Sequence, residues 1–169
     1  HEKDELAHYS DAASDIEFDF PWGWGELEGI AHRGDFDLSA HSKTSGKKLN
    51  TLDVESNTHF VPHVIEPAVG VDRILFAILC SAYDIEELAD GETRTLLRLP
   101  SAISPVHIAV LPLSKKTNLI SLSKTIASEL RKFFRVEYDE TQSIGKRYRR
   151  QDEIGTPYCV TVDFDSLDD

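Results

Sequence analysis

The chain contains no methionine and begins at His1. It is therefore expected to be an internal piece of something longer. It has only two cysteines, Cys80 and Cys159, far apart and in apolar surroundings. No C-x-x-C pair or zinc-ribbon spacing occurs, so two buried thiols in a reducing, cytoplasmic compartment are expected. No apolar run approaches the roughly 18 residues of a membrane span, and no charged-then-apolar leader is present. No membrane partner is expected. G-x-x-x-x-G-K-[ST] and G-x-G-x-x-G loops are both missing, so any nucleotide site must be of another kind. No serine sits in a G-x-S-x-G elbow, which leaves Ser-His-Asp catalysis without support.

What is present is enough for one ordinary domain or two small ones: 169 residues, 40% of them hydrophobic. The net charge is −12. The whole excess of acid lies before residue 101, and residues 101–169 balance. Such a composition argues against non-specific nucleic-acid binding but leaves room for a basic face in the second half.

The periodicities predict a helix over His1–Ala13, from Leu6, Tyr9 and Ala13, and a half-buried strand over Ile16–Phe20. A turn with two tryptophans follows, then an antiparallel strand over Glu26–Ala31 with Glu26, Glu28 and Ile30 on one face. Residues 33–38 lead into a short helix or turn, and His41–Leu52 reads as an exposed loop. Ile85–Arg98 is polar, with Gly91 as a break. Pro100–Pro105 marks a boundary, which divides the chain at 101–102. Beyond it, strand His107–Leu111, a helix with the stripe Leu119, Leu122, Ile126, Leu130 and Phe133, strand Val136–Tyr138, helix Ser143–Ile154 and strand Tyr158–Val162 predict a largely parallel sheet.

The most informative stretch is Phe60–Arg73, F-V-P-H-V-I-E-P-A-V-G-V-D-R. Val61, Val64 and Ile65 favour a strand, and a helix begins near Val71. Asp72 suits the start of that helix, but Arg73 there wants an anion or an aromatic face as partner. Glu66, on an apolar strand, needs a cation or several donors. His59 and His63 with Glu66 suggest zinc, but Pro62 breaks the helix that a metalloprotease site would need, and on a strand the two imidazoles stand about 13 Å apart. No protein-held metal is expected. Lys146, Arg147, Arg149 and Arg150, with Tyr148 among them, form either a solvated helix face or a phosphate-contacting one with an aromatic for stacking.

Three blocks, G-W-G-E-L-E-G-I-A-H-R-G-D-F-D-L, P-H-V-I-E-P-A-V-G-V-D-R and S-I-G-K-R-Y-R-R-Q-D-E-I-G-T-P-Y-C-V-T-V-D, together resemble the bacterial-type dimeric glycyl-tRNA synthetases. These are class II aminoacyl-tRNA synthetases, and Pro67–Arg73 is similar to their motif 3. The resemblance implies an α+β fold: 1–101 as the C-terminal part of an antiparallel-sheet catalytic domain, and 102–169 as an α/β anticodon-binding domain with a mixed, largely parallel sheet. It implies ATP, with Mg2+, and glycine as substrates, tRNA-Gly as partner and a homodimer for the full-length enzyme. Glu26, Leu27, Gly70, Val71, Asp72 and Arg73 would bind ATP. Glu66, Pro67, Ala68, Val69 and Gly70 would form the glycine pocket, with Arg73 and Glu66 as the catalytic candidates. Ala68 stands where the family usually has Ser. Lys146, Arg147, Arg149 and Arg150 would contact tRNA. Motifs 1 and 2 would lie before His1, so the chain alone is expected to be inactive. The alternative is a synthetase-like nucleic-acid-binding accessory protein without catalysis.

Overall fold

The computed structural model describes residues 6–89 and 91–168. Its contacts divide it into two compact units, one up to Ala77 and one from Ile78 onward.

In the first unit, β1 (Ala12–Phe20) and β2 (Gly23–His32) form an antiparallel hairpin closed by Pro21 and Trp22. Gly23 enters β2 at φ +107°, a conformation that suits glycine alone. α1 (Phe36–Ser45), β3 (Thr51–Asp53) and β4 (Thr58–Phe60) follow. β5 (Ile65–Val69) then returns to pair antiparallel with β2, giving the order β1-β2-β5. Pro67 faces Ile30 in this register. It is tolerated because β5 is an edge strand, where a missing N–H need not break a ladder. α2 (Val71–Ala82) starts immediately after Gly70.

Several expectations change here. Of the helix expected over His1–Ala13, residues 1–5 lie outside the described residues. Residues 6–11 form turns, and Ala12 and Ala13 already belong to β1. The loop expected from His41 is helix as far as Ser45. Its Ser and Thr fit by turning their hydroxyls back onto the chain, Thr44 to the Ala40 carbonyl at 3.0 Å and Ser45 to the His41 carbonyl at 2.7 Å. Gly46 ends it at φ +69°. The strand expected around Val61, Val64 and Ile65 begins only at Ile65, so Glu66 lies inside the ladder opposite Ala31.

In the second unit, β6 (Tyr83–Glu87) and β7 (Thr93–Leu97) form a hairpin. β8 (Ile108–Pro112), α3 (Thr117–Leu130), β9 (Val136–Tyr138), α4 (Ile144–Ile154) and β10 (Tyr158–Val162) follow, and a short 3-10 turn covers Asp165–Leu167. The sheet order is β10-β8-β9, and both pairings are parallel, as the alternation of strands and helices requires. Val110, Leu119, Ala127 and Val162 are its buried centre, packed by Leu122, Ile126 and Leu130 from α3. Phe133, expected on the α3 stripe, lies beyond the helix end and is 80% exposed. The β6–β7 hairpin belongs to this unit because it packs on α4. Arg94 pairs with Asp152 at 3.0 Å, and Leu97 and Leu99 close over Gly155. The contact division therefore falls before 101–102, the position marked by the change in sequence character.

Candidate active site and nucleic-acid face

The acidic side of the β1-β2-β5 sheet is shaped by one extra residue. The register runs Ile16 to Glu28 and then Glu17 to Glu26, so Leu27 is a bulge. It moves Glu26 off the face of Glu28 and Ile30, where strict alternation would put it. Glu26 Oε1 instead lies 3.4 Å from the point a Gly29 Cβ would occupy, with Asp15 Oδ1 at 3.6 Å from the same point. Ladder partners share a face, and Gly29 is opposite both Asp15 and Ala68. Asp15, Glu26, Ala31, Glu66 and Ala68 therefore stand on one side of the sheet. Carboxylates surround a floor of Gly29, Ala31 and Ala68. A small ammonium-bearing ligand fits that chemistry, since the floor has no side chain larger than methyl.

Glu66 finds its cation in Arg33, whose Nη1 donates to Glu66 Oε2 at 2.5 Å. Arg33 is placed by backbone bonds across the open end of the ladder, its N–H to the Val64 carbonyl at 2.9 Å and the Val64 N–H to Gly34 at 2.9 Å. Its other edge meets Asp37 in the first turn of α1. Nε donates to Oδ2 at 2.5 Å and Nη2 to Oδ1 at 2.9 Å. The Tyr9 ring covers the guanidinium at 4.0 Å. The fork from Arg33 holds the Asp37 carboxyl below its usual range, and the Asp37 bond raises the already high pKa of Arg33.

At the tip of the β1–β2 hairpin, a cleft of about 400 Å³ is lined by Phe20, Trp22, Gly25, Glu26, Asp72, Arg73 and Phe76. Phe20, Trp22 and Phe76 form a stack, with Phe20 and Trp22 centroids 5.0 Å apart and Trp22 and Phe76 centroids 5.5 Å apart. Gly25 leaves room for this stack, because a Cβ there would meet Phe20 at 3.3 Å. Arg73 Nη1 donates to the Glu26 carbonyl. The structure thus brings Glu26, Asp72 and Arg73 to one cleft, with Gly70 and Val71 at the adjoining start of α2. Glu66, Pro67, Ala68 and Val69 follow one another along β5. Pro67 and Val69, opposite Ile30 and Glu28, face away from Glu66 and Ala68.

In the second unit the four basic residues of α4 part company. Lys146 and Arg149 are exposed, with Arg149 3.5 Å from Glu92. Arg147 is 2% exposed and donates to the carbonyls of Pro112, Asp139 and Gln142. It joins the ends of β8 and β9 to α4 and is out of reach of a tRNA phosphate. Arg150 binds Asp139 through Nε and Nη2, and Thr141 Oγ1 at 2.9 Å. Burial pushes the Asp139 carboxyl up, but the bonds from Arg150 and Thr141 outweigh it and hold the group below its usual range. Tyr148 is half-buried, and its hydroxyl shares a hydrogen bond with Thr161 Oγ1 at 2.6 Å.

His59 lies in β4, and His63 meets His32 edge-on at 5.3 Å. Among the described residues, no group of three or more His, Cys, Asp or Glu is placed to hold a metal ion. None of the described helices is long and apolar enough to cross a membrane. Sequence reasoning missed Asp15, Phe20, Trp22, Arg33 and Phe76. Arg33 and Asp37, four apart at a helix start, carried a readable signal. The aromatic stack did not, because its members come from three separate elements.

Residues 107–169 match the anticodon binding domain family, HGTP_anticodon. All 169 residues align with glycine–tRNA ligases at 59% identity for Ruminiclostridium cellulolyticum, 57% for Lysinibacillus sphaericus and 56% for Geobacillus thermodenitrificans. The chain spans 36% of the length of each of these relatives. A solved structure described as the RNA binding domain of threonyl-tRNA synthetase from Cryptosporidium parvum Iowa II matches with a TM-score of 0.63. That match covers 92% of this chain and 35% of that one at 21% identity, a likeness of fold. The residues matched by the anticodon binding domain family hold the whole parallel sheet of the second unit, β8, β9 and β10.

Proposed function

Because this chain is a homologue, along its whole length, of the glycine–tRNA ligases, we propose that it is the motif 3 and anticodon-binding portion of such an enzyme. Residues 1–101 are the C-terminal part of the catalytic domain, and 102–169 bind the anticodon arm of tRNA-Gly. The whole enzyme, a cytoplasmic homodimer, joins glycine to ATP and passes the glycyl group to the 3′ end of the tRNA. In the first step a glycine carboxylate oxygen attacks the α-phosphorus, and pyrophosphate leaves. In the second a ribose hydroxyl of the tRNA attacks the glycyl carbonyl, and AMP leaves. Mg2+ accompanies ATP on its phosphates.

Each residue has a place in this reading. Arg73 lies against the adenine and near the triphosphate, in the aromatic cleft with Glu26 and Asp72. Leu27, Gly70 and Val71 shape the edges of that cleft. Glu66 receives the ammonium of glycine. Ala68, with Gly29 and Ala31, keeps the floor below it low, and Pro67, Val69 and Gly70 fix the strand that presents it. Lys146 and Arg149 are the tRNA contacts, with Arg150 beside them. The chemistry asked of this segment is positioning and charge stabilisation, which need no protein nucleophile.

The reading is carried by an alignment at 59% identity that spans all 169 residues. It is tested by ATP–pyrophosphate exchange. The full-length protein should exchange only when glycine is present, and the 169-residue chain alone should not exchange. A full-length protein that binds tRNA but shows no glycine-dependent exchange would support the accessory reading instead.

A further inference from the structure

Arg33 is held on three sides. Asp37 takes its Nε and Nη2, the Tyr9 ring covers its face, and Nη1 is left for Glu66. A guanidinium fixed this way can point in one direction only. Glu66, by contrast, is 44% exposed and stands on an edge strand beside Ala68 and opposite Ala31, neither of which can wedge its side chain in place. A glutamate on so low a floor has several rotamers open to it, and each productive encounter would cost the entropy of choosing one.

We propose that Arg33 is the positioning residue for Glu66. It ties up Oε2 and leaves Oε1 as the acceptor for the substrate ammonium. Asp37 is the second half of the device. A lone arginine beside Glu66 would cancel its charge and repel an ammonium group. With Asp37 bound in a two-point fork, one cation faces two carboxylates, and the cluster keeps a net negative charge for the incoming amine. The fork also explains why an arginine is needed. Lysine has one point charge and cannot grip Asp37 with two atoms while aiming a third at Glu66.

This proposal rests on Glu66 receiving the amino group, and its test separates the two ideas. In the full-length enzyme, KM for glycine and KM for ATP are measured by pyrophosphate exchange for Glu66→Gln, Arg33→Lys and Asp37→Asn, with a melting curve for each. Glu66→Gln should raise the glycine KM, and its failure to do so overturns both ideas. Arg33→Lys should raise the glycine KM about ten- to a hundredfold, the scale of misplacing a reacting group, while the ATP KM stays put. If Glu66→Gln has its effect but Arg33→Lys moves both constants equally, or only the melting temperature, the positioning role is wrong. Asp37→Asn keeps the arginine but removes one of the two acceptors that aim it and one negative charge of the cluster. It carries the test should Arg33→Lys not fold: a raised glycine KM with an unchanged ATP KM supports the proposal, and no change overturns it.

Discussion

Arg73 donates to the backbone carbonyl of Glu26, across 47 positions of sequence, and so ties the first turn of α2 to the bulged stretch of β2. The same guanidinium lines the aromatic cleft at the hairpin tip. A cation against an aromatic face is worth about 0.5–2 kcal/mol, so Arg73→Ala in the full enzyme should raise the ATP KM by as much as roughly thirtyfold. The glycine KM should change little, because Glu66 takes its bond from Arg33 instead. Pyrophosphate exchange with each substrate varied in turn measures this, and equal effects on both would count against the division of labour.

The basic residues of α4 should divide by exposure. Lys146→Ala and Arg149→Ala should each weaken tRNA binding for cognate and non-cognate tRNAs alike, and each should reduce the salt slope of log K by about 1. Arg147→Ala should chiefly lower stability, by about 2–4 kcal/mol, because it leaves three backbone carbonyls without their donor. Filter binding over a range of salt, with urea melts alongside, separates the two kinds of effect.

Gly155 and Gly46 end their helices with nearly the same backbone, at φ +75° and φ +69°. A Cβ at Gly155 would meet Leu99 at 2.8 Å and the Leu97 carbonyl at 3.0 Å, whereas one at Gly46 would meet nothing within 4 Å. Gly46→Ala should therefore cost only the left-handed penalty of about 1 kcal/mol. Gly155→Ala should cost about 3 kcal/mol, through the added clash with the β7 end. Equal losses in urea unfolding would show that the clash relaxes freely.

Asp139 gives the second unit a pH dependence of definite sign. Its folded pKa lies below the unfolded value of about 3.9, so its ion pair with Arg150 contributes stability above about pH 4. That contribution is lost as the pH falls through the folded pKa. Asp139→Asn should melt below the parent at pH 7, and the gap should close towards pH 2. A gap that persists at low pH would assign the loss to geometry instead of charge.

The parallel half was readable because its strands are short apolar runs and its helices carry clear stripes, each element agreeing with its neighbours. The stripe misled only at Phe133, where spacing continued after α3 had ended. In the first half, local and tertiary signals diverge. The Ser- and Thr-rich tract after His41 has loop composition, yet its hydroxyls satisfy helix carbonyls. Glu66 was legible as a carboxylate in need of a cation. Its partner was not, because Arg33 reaches it through sheet pairing over 33 positions. Arg147 was legible as basic but not as buried, since only the folded chain brings the carbonyls of Pro112, Asp139 and Gln142 to its guanidinium.

The bulge at Leu27 makes β2 a strand with two reading frames. From Gly23 to Glu26 its side chains keep one phase, and from Glu28 to His32 they keep the opposite one. Removing Leu27 would leave the pairs Ile16–Glu28 and Glu17–Glu26 as they are, so Glu26 would keep its side of the sheet in a ladder that alternates strictly. One residue inserted in β1 between Ile16 and Glu17 would instead give Leu27 a partner and turn Glu26 to the far side, while Gly29, Ala31 and their neighbours stayed where they are. The acidic face therefore depends on a count as well as on composition, and an insertion in β1 is a more severe lesion there than the loss of Leu27.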